Sequence, residues 1–262
     1  MLVIMLVIVV MGSLYGLLNR LNTNAVESSR TAVTNQALKQ ARQALLAYAV
    51  TYRDRVSGYG FGYLPCPDMA SDDINPNMIG THAGNCGTAG QPAIGLLPYQ
   101  TLGLPELLDG DGNCLWYIVA GSHKENPKNT STLSPSTVAD FDIYDPNGSL
   151  LVSRLTSVQG AAAIVVSPGV ALAGQSRGLD NAKNTLCRTD SSQMAAYLES
   201  ATSGLVSGIQ TDSSGNVIKN DKMNWVSASE IFALASQRSD YANNAPGTKT
   251  TNGNDQSDGS NY

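Results

Sequence analysis

Apolar residues fill the start of the chain without interruption: Met1 to Leu18 are apolar or small, and no charge occurs before Arg20. At helical rise such a run spans ~27 Å, close to the ~30 Å hydrocarbon core of a bilayer, so the pattern predicts a membrane helix. Nothing then breaks the helix, since no proline precedes Pro65 and no glycine lies between Gly16 and Gly58. Beyond Arg20 the composition turns polar, yet a stripe persists at Val26, Val33, Ala37, Ala41, Leu45 and Tyr48. Those intervals of three, four or seven place the stripe on one helical face. Lys39, Gln40, Arg42 and Gln43 fill the other side. One continuous helix to about Arg53 follows, with residues 1–24 serving a membrane or filament core and residues 25–54 packing amphipathically on a soluble domain.

The pattern then changes period. Between Val56 and Gln91 glycine, proline, aspartate and asparagine dominate, which predicts a long ordered loop. The stretch Gly95 to Pro105 is another set of turns, but its leucines are too frequent for a solvated loop and are expected to plug the space between helix and sheet. Strand patterns begin at Cys114–Ala120 and recur at Phe141–Tyr144, Leu150–Val152 and Ala161–Val166, separated by turns such as Asp145-Pro146-Asn147-Gly148. Met194–Glu199 and Ser227–Ala235 read as short helices, the second opened by a Ser227/Glu230 capping box. Strands do not alternate with ten-residue helices, so the predicted fold is α+β, a long helix lying on an antiparallel sheet rather than a doubly wound parallel one. Residues 55–242 form the globular β-rich domain, and the Asn, Gly, Thr, Ser and Asp of residues 243–262 predict a disordered tail.

Composition narrows the function. At 262 residues and 42% hydrophobic content one core can form. A net charge of −5 and a pI near 4.9 provide no basic field, which argues against nucleic acid as a partner. The opening run has no basic n-region, and Leu21-Asn22-Thr23-Asn24 offers no small-residue cleavage site, so cleavage behind it is not expected. Four cysteines, Cys66, Cys86, Cys114 and Cys187, contain no C-x-x-C pair, and in an exported chain they predict two disulfides. Cys66–Cys86 with Cys114–Cys187 is the preferred pairing, because the first bond closes a loop rich in Gly, Asn and Asp. A zinc site is disfavoured, with only His82 and His123 to supplement the thiols.

Three motifs carry candidate chemistry. Gly174-Gln175-Ser176-Arg177-Gly178 matches G-x-S-x-G, but an α/β-hydrolase places its histidine after the serine and both histidines here precede Ser176. No catalytic residue is assigned. Asp109, Asp111 and Asn113 alternate as calcium-loop ligands do, although the glycine and distal glutamate of an EF-hand are missing, and a hairpin turn explains them more simply. Asp68, Asp72 and Asp73 form a second acidic group. No metal or other cofactor is favoured; calcium is the weak candidate. Gly12 and Gly16 make a G-x-x-x-G step that lets another helix approach closely.

The helix followed by a disulfide-stapled β domain resembles type IV pilins and pseudopilins. The words Ala37-Leu38-Lys39-Gln40-Ala41-Arg42-Gln43-Ala44-Leu45-Leu46-Ala47-Tyr48-Ala49, Leu64-Pro65-Cys66-Pro67-Asp68, Leu97-Pro98-Tyr99-Gln100-Thr101-Leu102-Gly103-Leu104-Pro105 and Ser167-Pro168-Gly169-Val170-Ala171-Leu172-Ala173-Gly174-Gln175 look like a group of proteobacterial pilin-like proteins. The resemblance covers residues 1 to about 235. It implies partner pilin or pseudopilin subunits met through the N-terminal helix, and structural calcium occurs in some members. The usual pilin glutamate at the fifth mature position is replaced here by Met5, which is similar to the minor pseudopilin that caps secretion tips.

The expected function is therefore a non-enzymatic minor or tip subunit of a type IV pilus-like or type II secretion pseudopilus filament. It would sit in the bacterial inner membrane with a periplasmic domain before assembly, and in a periplasmic or cell-surface filament afterwards. The second reading is a single-pass anchored periplasmic domain, adhesive or enzymatic, that never joins a filament.

Overall fold

One helix, α1 (Leu2–Arg55), runs without a break through the segment that lacks proline. The computed structural model describes residues 2–56, 58–69, 78–129, 133–155, 160–177, 187 and 193–241, with side chains from residue 24 onward. Gly12 and Gly16 thus lie outside the described side chains, and the tail after Tyr241 and Asp72 and Asp73 lie outside the described residues altogether. Among the described residues no helix is long and apolar enough to cross a membrane; the expected span at residues 1–24 lies where the side chains before residue 24 are outside the description. The helix ends with Arg53 and Arg55 in its last turn, where cations face the carbonyl end favourably. Gly58 then takes a φ of 81°, a left-handed conformation in which glycine carries little strain.

The remaining elements follow in chain order: β1 (Ala93–Leu96), β2 (Trp116–Val119), β3 (Ile143–Tyr144), β4 (Leu150–Val152), β5 (Ala161–Ser167), α2 (Met194–Tyr197), β6 (Leu205–Val206), β7 (Gln210–Thr211), β8 (Val217–Lys219), β9 (Lys222–Ser227) and α3 (Ala228–Ala235). Strands β1-β2-β5-β9 form a four-stranded antiparallel sheet. Its central strands are covered on both faces, which is why β2 and β5 are unbroken apolar runs rather than alternating ones. Tyr117, Val119 and Val165 turn towards α1, where they meet Ala41, Leu45 and Ala49. Trp116, Ile118, Ile164 and Val166 turn the other way, onto Phe141, Ile143, Val152 and Leu205. The second layer, β4-β3-β6, departs from the all-antiparallel expectation: β3 pairs with β6 in parallel, because β6 arrives after a long excursion rather than through a hairpin.

The helical stripe needs two corrections. Ala37, Ala41, Leu45 and Tyr48 are buried as expected, but Val26 and Val33 are 48% and 47% exposed. Burial begins instead at Thr34, whose Oγ1 accepts the amide of Gly110. There the turn 109–113 lies against the helix backbone so closely that a Cβ on Gly110 would stand 2.1 Å from the carbonyl oxygen of Arg30. Arg42 is not on the solvent side: its Nε donates to the Trp225 carbonyl at 2.7 Å and its Nη2 pairs with Glu230. The stripe locates the apolar seam, while this arginine ties the helix to β9 and α3 beside it. The Ser227 side chain accepts from Glu230 N at 3.2 Å and caps α3 as expected, but the Glu230 carboxylate goes to Arg42.

Candidate functional site

A dense group of titratable side chains forms where β2 ends. After four buried strand residues the chain turns, with the amides of His123 and Lys124 both donating to the Ala120 carbonyl. Gly121 permits this turn because a Cβ there would stand 2.2 Å from the Gly90 carbonyl carbon. Leu64 N donates to His123 O and Glu125 N to Leu64 O, so the segment carrying Cys66 is stitched beside the run Ser122-His123-Lys124-Glu125. This stitching aims Glu125 under the C-terminal end of α1.

Glu125 is 8% exposed and gathers three donors: Tyr48 Oη at 2.7 Å, the Cys66 amide at 3.3 Å, and His82 Nδ1. Burial pushes its carboxyl up, but the hydrogen bonds from His82, Tyr48 and the Cys66 amide outweigh burial and hold it below its ordinary value. The hydrogen bond to this carboxylate raises the His82 imidazole, against the opposing effect of its own burial. Burial pushes the Tyr48 and Tyr52 phenols well up, and the Glu125 charge adds to it, so both stay protonated donors. His123 is fully buried, and burial lowers it to about 4. Lys124, also fully buried, donates to the carbonyls of Cys86 and Thr88 at 3.0 and 2.6 Å. Beside this group Lys128 Nζ lies 4.3 Å from the Tyr59 ring centroid, with Tyr52 and Tyr63 also near.

The cluster makes stability depend on pH in both directions. His82 has a folded value above its ordinary 6.5, so its contribution is complete below that pH and is lost as pH rises through the folded value. Glu125 has a folded value below 4.5, so its contribution is present above 4.5 and is lost as pH falls through the folded value. His123, buried neutral, likewise costs stability as pH falls from 6.5 towards 4. Denaturation titrations across pH should therefore show a shallower alkaline decline in His82→Asn than in the wild type, with the acid loss kept. An alkaline decline identical in the two proteins would assign it wholly to another group.

A second buried group ties α2 to the start of β9. Asp221 is 1% exposed; burial, then the neighbouring Glu199 charge, push its carboxyl up to about 9. Arg177 packs beside them and donates to the carbonyls of Gly169, Ala196 and Tyr197. This is the arginine of the G-x-S-x-G match, and it clamps loops together. Ser176 between its neighbours is exposed, while His82 and His123 are engaged with Glu125 and Ser122.

The expected disulfides are present, Cys66–Cys86 and Cys114–Cys187, with Cα separations of 5.7 and 5.4 Å. The alternating acids behave as a turn. Asp109 is 3% exposed and its carboxylate accepts the amides of Asp111, Asn113 and Gly169 and the Ser167 hydroxyl, whereas Asp111 pairs with Arg30. Asp109 and Asn113 are thus brought together, and Asp111 is turned away from them towards the helix. Asp68 is buried, with Oδ2 accepting the Gly80 amide at 2.6 Å. Among the described residues the group of acids, histidines and cysteines close enough to share a metal is Glu106, Cys114 and Cys187, and both sulfurs are committed to the disulfide.

No family model matches the chain, and no curated protein or solved structure matches it. Function must therefore be argued from the chain itself. The Glu125 cluster holds a carboxylate–imidazole pair, but Thr101 Oγ1 accepts the His82 backbone amide, and Tyr48 Oη is spent on Glu125. The arrangement joins a helix end, a disulfide loop and a strand end through charge-assisted hydrogen bonds. Sequence reasoning passed over Glu125. The available signal was Ser122-His123-Lys124-Glu125, four polar residues directly behind a fully apolar strand.

Proposed function

We propose that the chain is a structural, non-enzymatic subunit of a type IV pilus-like or type II secretion pseudopilus filament, held in a membrane by its N-terminal run before assembly. The observation that carries this reading is the division of α1. From Thr34 to Tyr52 the helix is a wall of the domain core, whereas its described ties to the domain start no earlier than Arg30. Residues 24–29 are exposed on the helix, and the composition of the run ahead of them, Met1 to Leu18 without a charge, suits lipid or a sheath of like helices. Residues 1–26 carry no carboxylate, so a shaft position that needs an acidic partner within that run does not suit it. A minor or tip position does.

Shearing and fractionation test the reading. The protein should leave the cell body with sheared filaments, and loss of the peptidase that processes prepilins should retain it in the membrane. Recovery only in membranes, unaffected by that loss, would favour the anchored periplasmic domain instead.

A further inference from the structure

Glycine and aromatic residues alternate in Gly58-Tyr59-Gly60-Phe61-Gly62-Tyr63 behind α1, and the filament reading gives this stretch no task. Gly58 and Gly62 take φ values of 81° and 98°, conformations open to glycine, and the chain between them sets Tyr59 and Tyr63 beside Tyr52 at the end of the helix. The Tyr52 and Tyr63 ring centroids are 5.1 Å apart at 45°, and Tyr59 meets Tyr63 edge-on at 5.9 Å and 87°. Three mutually inclined rings make a cage. Tyr52 and Tyr63, 1% and 7% exposed, are its buried walls, and Tyr59, 46% exposed, is its open one.

The cage holds the Lys128 ammonium, carried in by the loop behind β2: Nζ lies 4.3 Å from the Tyr59 centroid, 5.6 Å from that of Tyr52 and 5.8 Å from that of Tyr63. The occupant matches the cage poorly. An ammonium carries three N–H donors, and among the described residues no group accepts a hydrogen bond from Lys128 Nζ. Glu125 acts on it through charge alone, since its oxygens take the hydrogen bonds of Tyr48, Cys66 and His82. Burial lowers the Lys128 ammonium, against that attraction. A quaternary ammonium has no N–H to leave unpaired, so ring faces with a carboxylate charge nearby satisfy it fully.

We propose that the cage of Tyr52, Tyr59 and Tyr63 is a binding site for a quaternary ammonium group of the choline kind, with Lys128 as a resident side chain that the ligand displaces. Displacement makes binding weaker in the wild-type chain than the cage alone would give. The same chemistry excludes two other ligand types: an uncharged apolar group lacks the attraction to the rings, and a primary amine strands its donors as Lys128 does. The site stands apart from the filament reading, because all of its residues belong to the domain and none to the N-terminal run.

The test titrates the full chain, in a maltoside detergent, with choline chloride, and reads binding by saturation transfer from the protein to the choline methyl protons. Saturable binding is expected, and Lys128→Ala, which empties the cage, should tighten it about fivefold or more. Lys128→Gln gives the same reading should the alanine variant fail to fold. Adding Tyr59→Ala should reverse the gain, whereas Tyr59→Phe, which keeps the ring, should retain it. Dimethylbutanol, the uncharged carbon isostere of choline, should not compete. Dihexanoylphosphatidylcholine below its micellar concentration separates the sources: competition by it supports a lipid headgroup as ligand, and binding of choline without it supports a free solute. No saturable transfer, equal competition by dimethylbutanol, an affinity unchanged by emptying the cage, or a gain that survives Tyr59→Ala would overturn the proposal.

Discussion

Replacing Glu125 by alanine is expected to lower the stability of the domain by about 3 kcal/mol, the low end for breaking a buried ion pair, because His82 keeps 40% of its side chain in water. The loss comes from what remains. Tyr48 Oη and the Cys66 amide are left as buried donors without an acceptor, and the imidazole loses the group that raised its proton affinity. Glu125→Gln keeps an acceptor for Tyr48, so it should cost less while still removing the His82 part of the alkaline decline in stability. Denaturant midpoints for the two variants measure this directly. A Glu125→Ala protein that unfolds with the wild type would show that the cluster is ornamental to the fold.

The disulfides should matter about as much. On chain-entropy grounds, replacing Cys66 and Cys86 by alanine removes a bond closing a separation of 20 residues and should cost about 3 kcal/mol. Removing Cys114–Cys187, with a separation of 73, should cost about 4 kcal/mol. The two losses differ in consequence. Cys66–Cys86 brackets His82, and Cys66 also donates to Glu125, so its removal should flatten the pH optimum as well as lower the midpoint. The second bond ties the sheet's β2 entrance to Cys187 and Glu106, and neither sulfur lies among the donors to Glu125, so its loss should leave the His82 and Glu125 part of the pH profile in place. Mass analysis of the unreduced chain finding four free thiols would defeat both statements.

Much of the architecture is legible from local pattern. The helix was readable because nothing in residues 17–57 can break it, and β2, β5, the β3–β4 hairpin and the Ser227 cap each announce themselves within a dozen residues. What was not readable depends on partners distant in sequence. β1 hides among turns because it is a strand only by pairing with β2, and Gly95 in its middle makes room for the crossing backbone at Asp68. β9 carries Lys222 and Asn224, too polar for a core strand, because α1 and Arg42 cover it from the side. Val26 and Val33 continue the helical period but meet no wall, since the period reports which face is apolar and not where the domain ends. Glu125 was overlooked for a related reason: a lone glutamate reveals its role only when Tyr48, Cys66 and His82 converge on it from three separate segments.

Electron microscopy of filaments carrying a label fused after Asn243 addresses the central claim most directly, and a chain terminus of small polar residues is a tolerant place for such an addition. A minor or tip subunit places one label near a filament end or a few at rare positions. Dense labelling along the whole length would instead make this a shaft protein built without an early carboxylate, and filaments bearing no label would contradict the filament assignment itself.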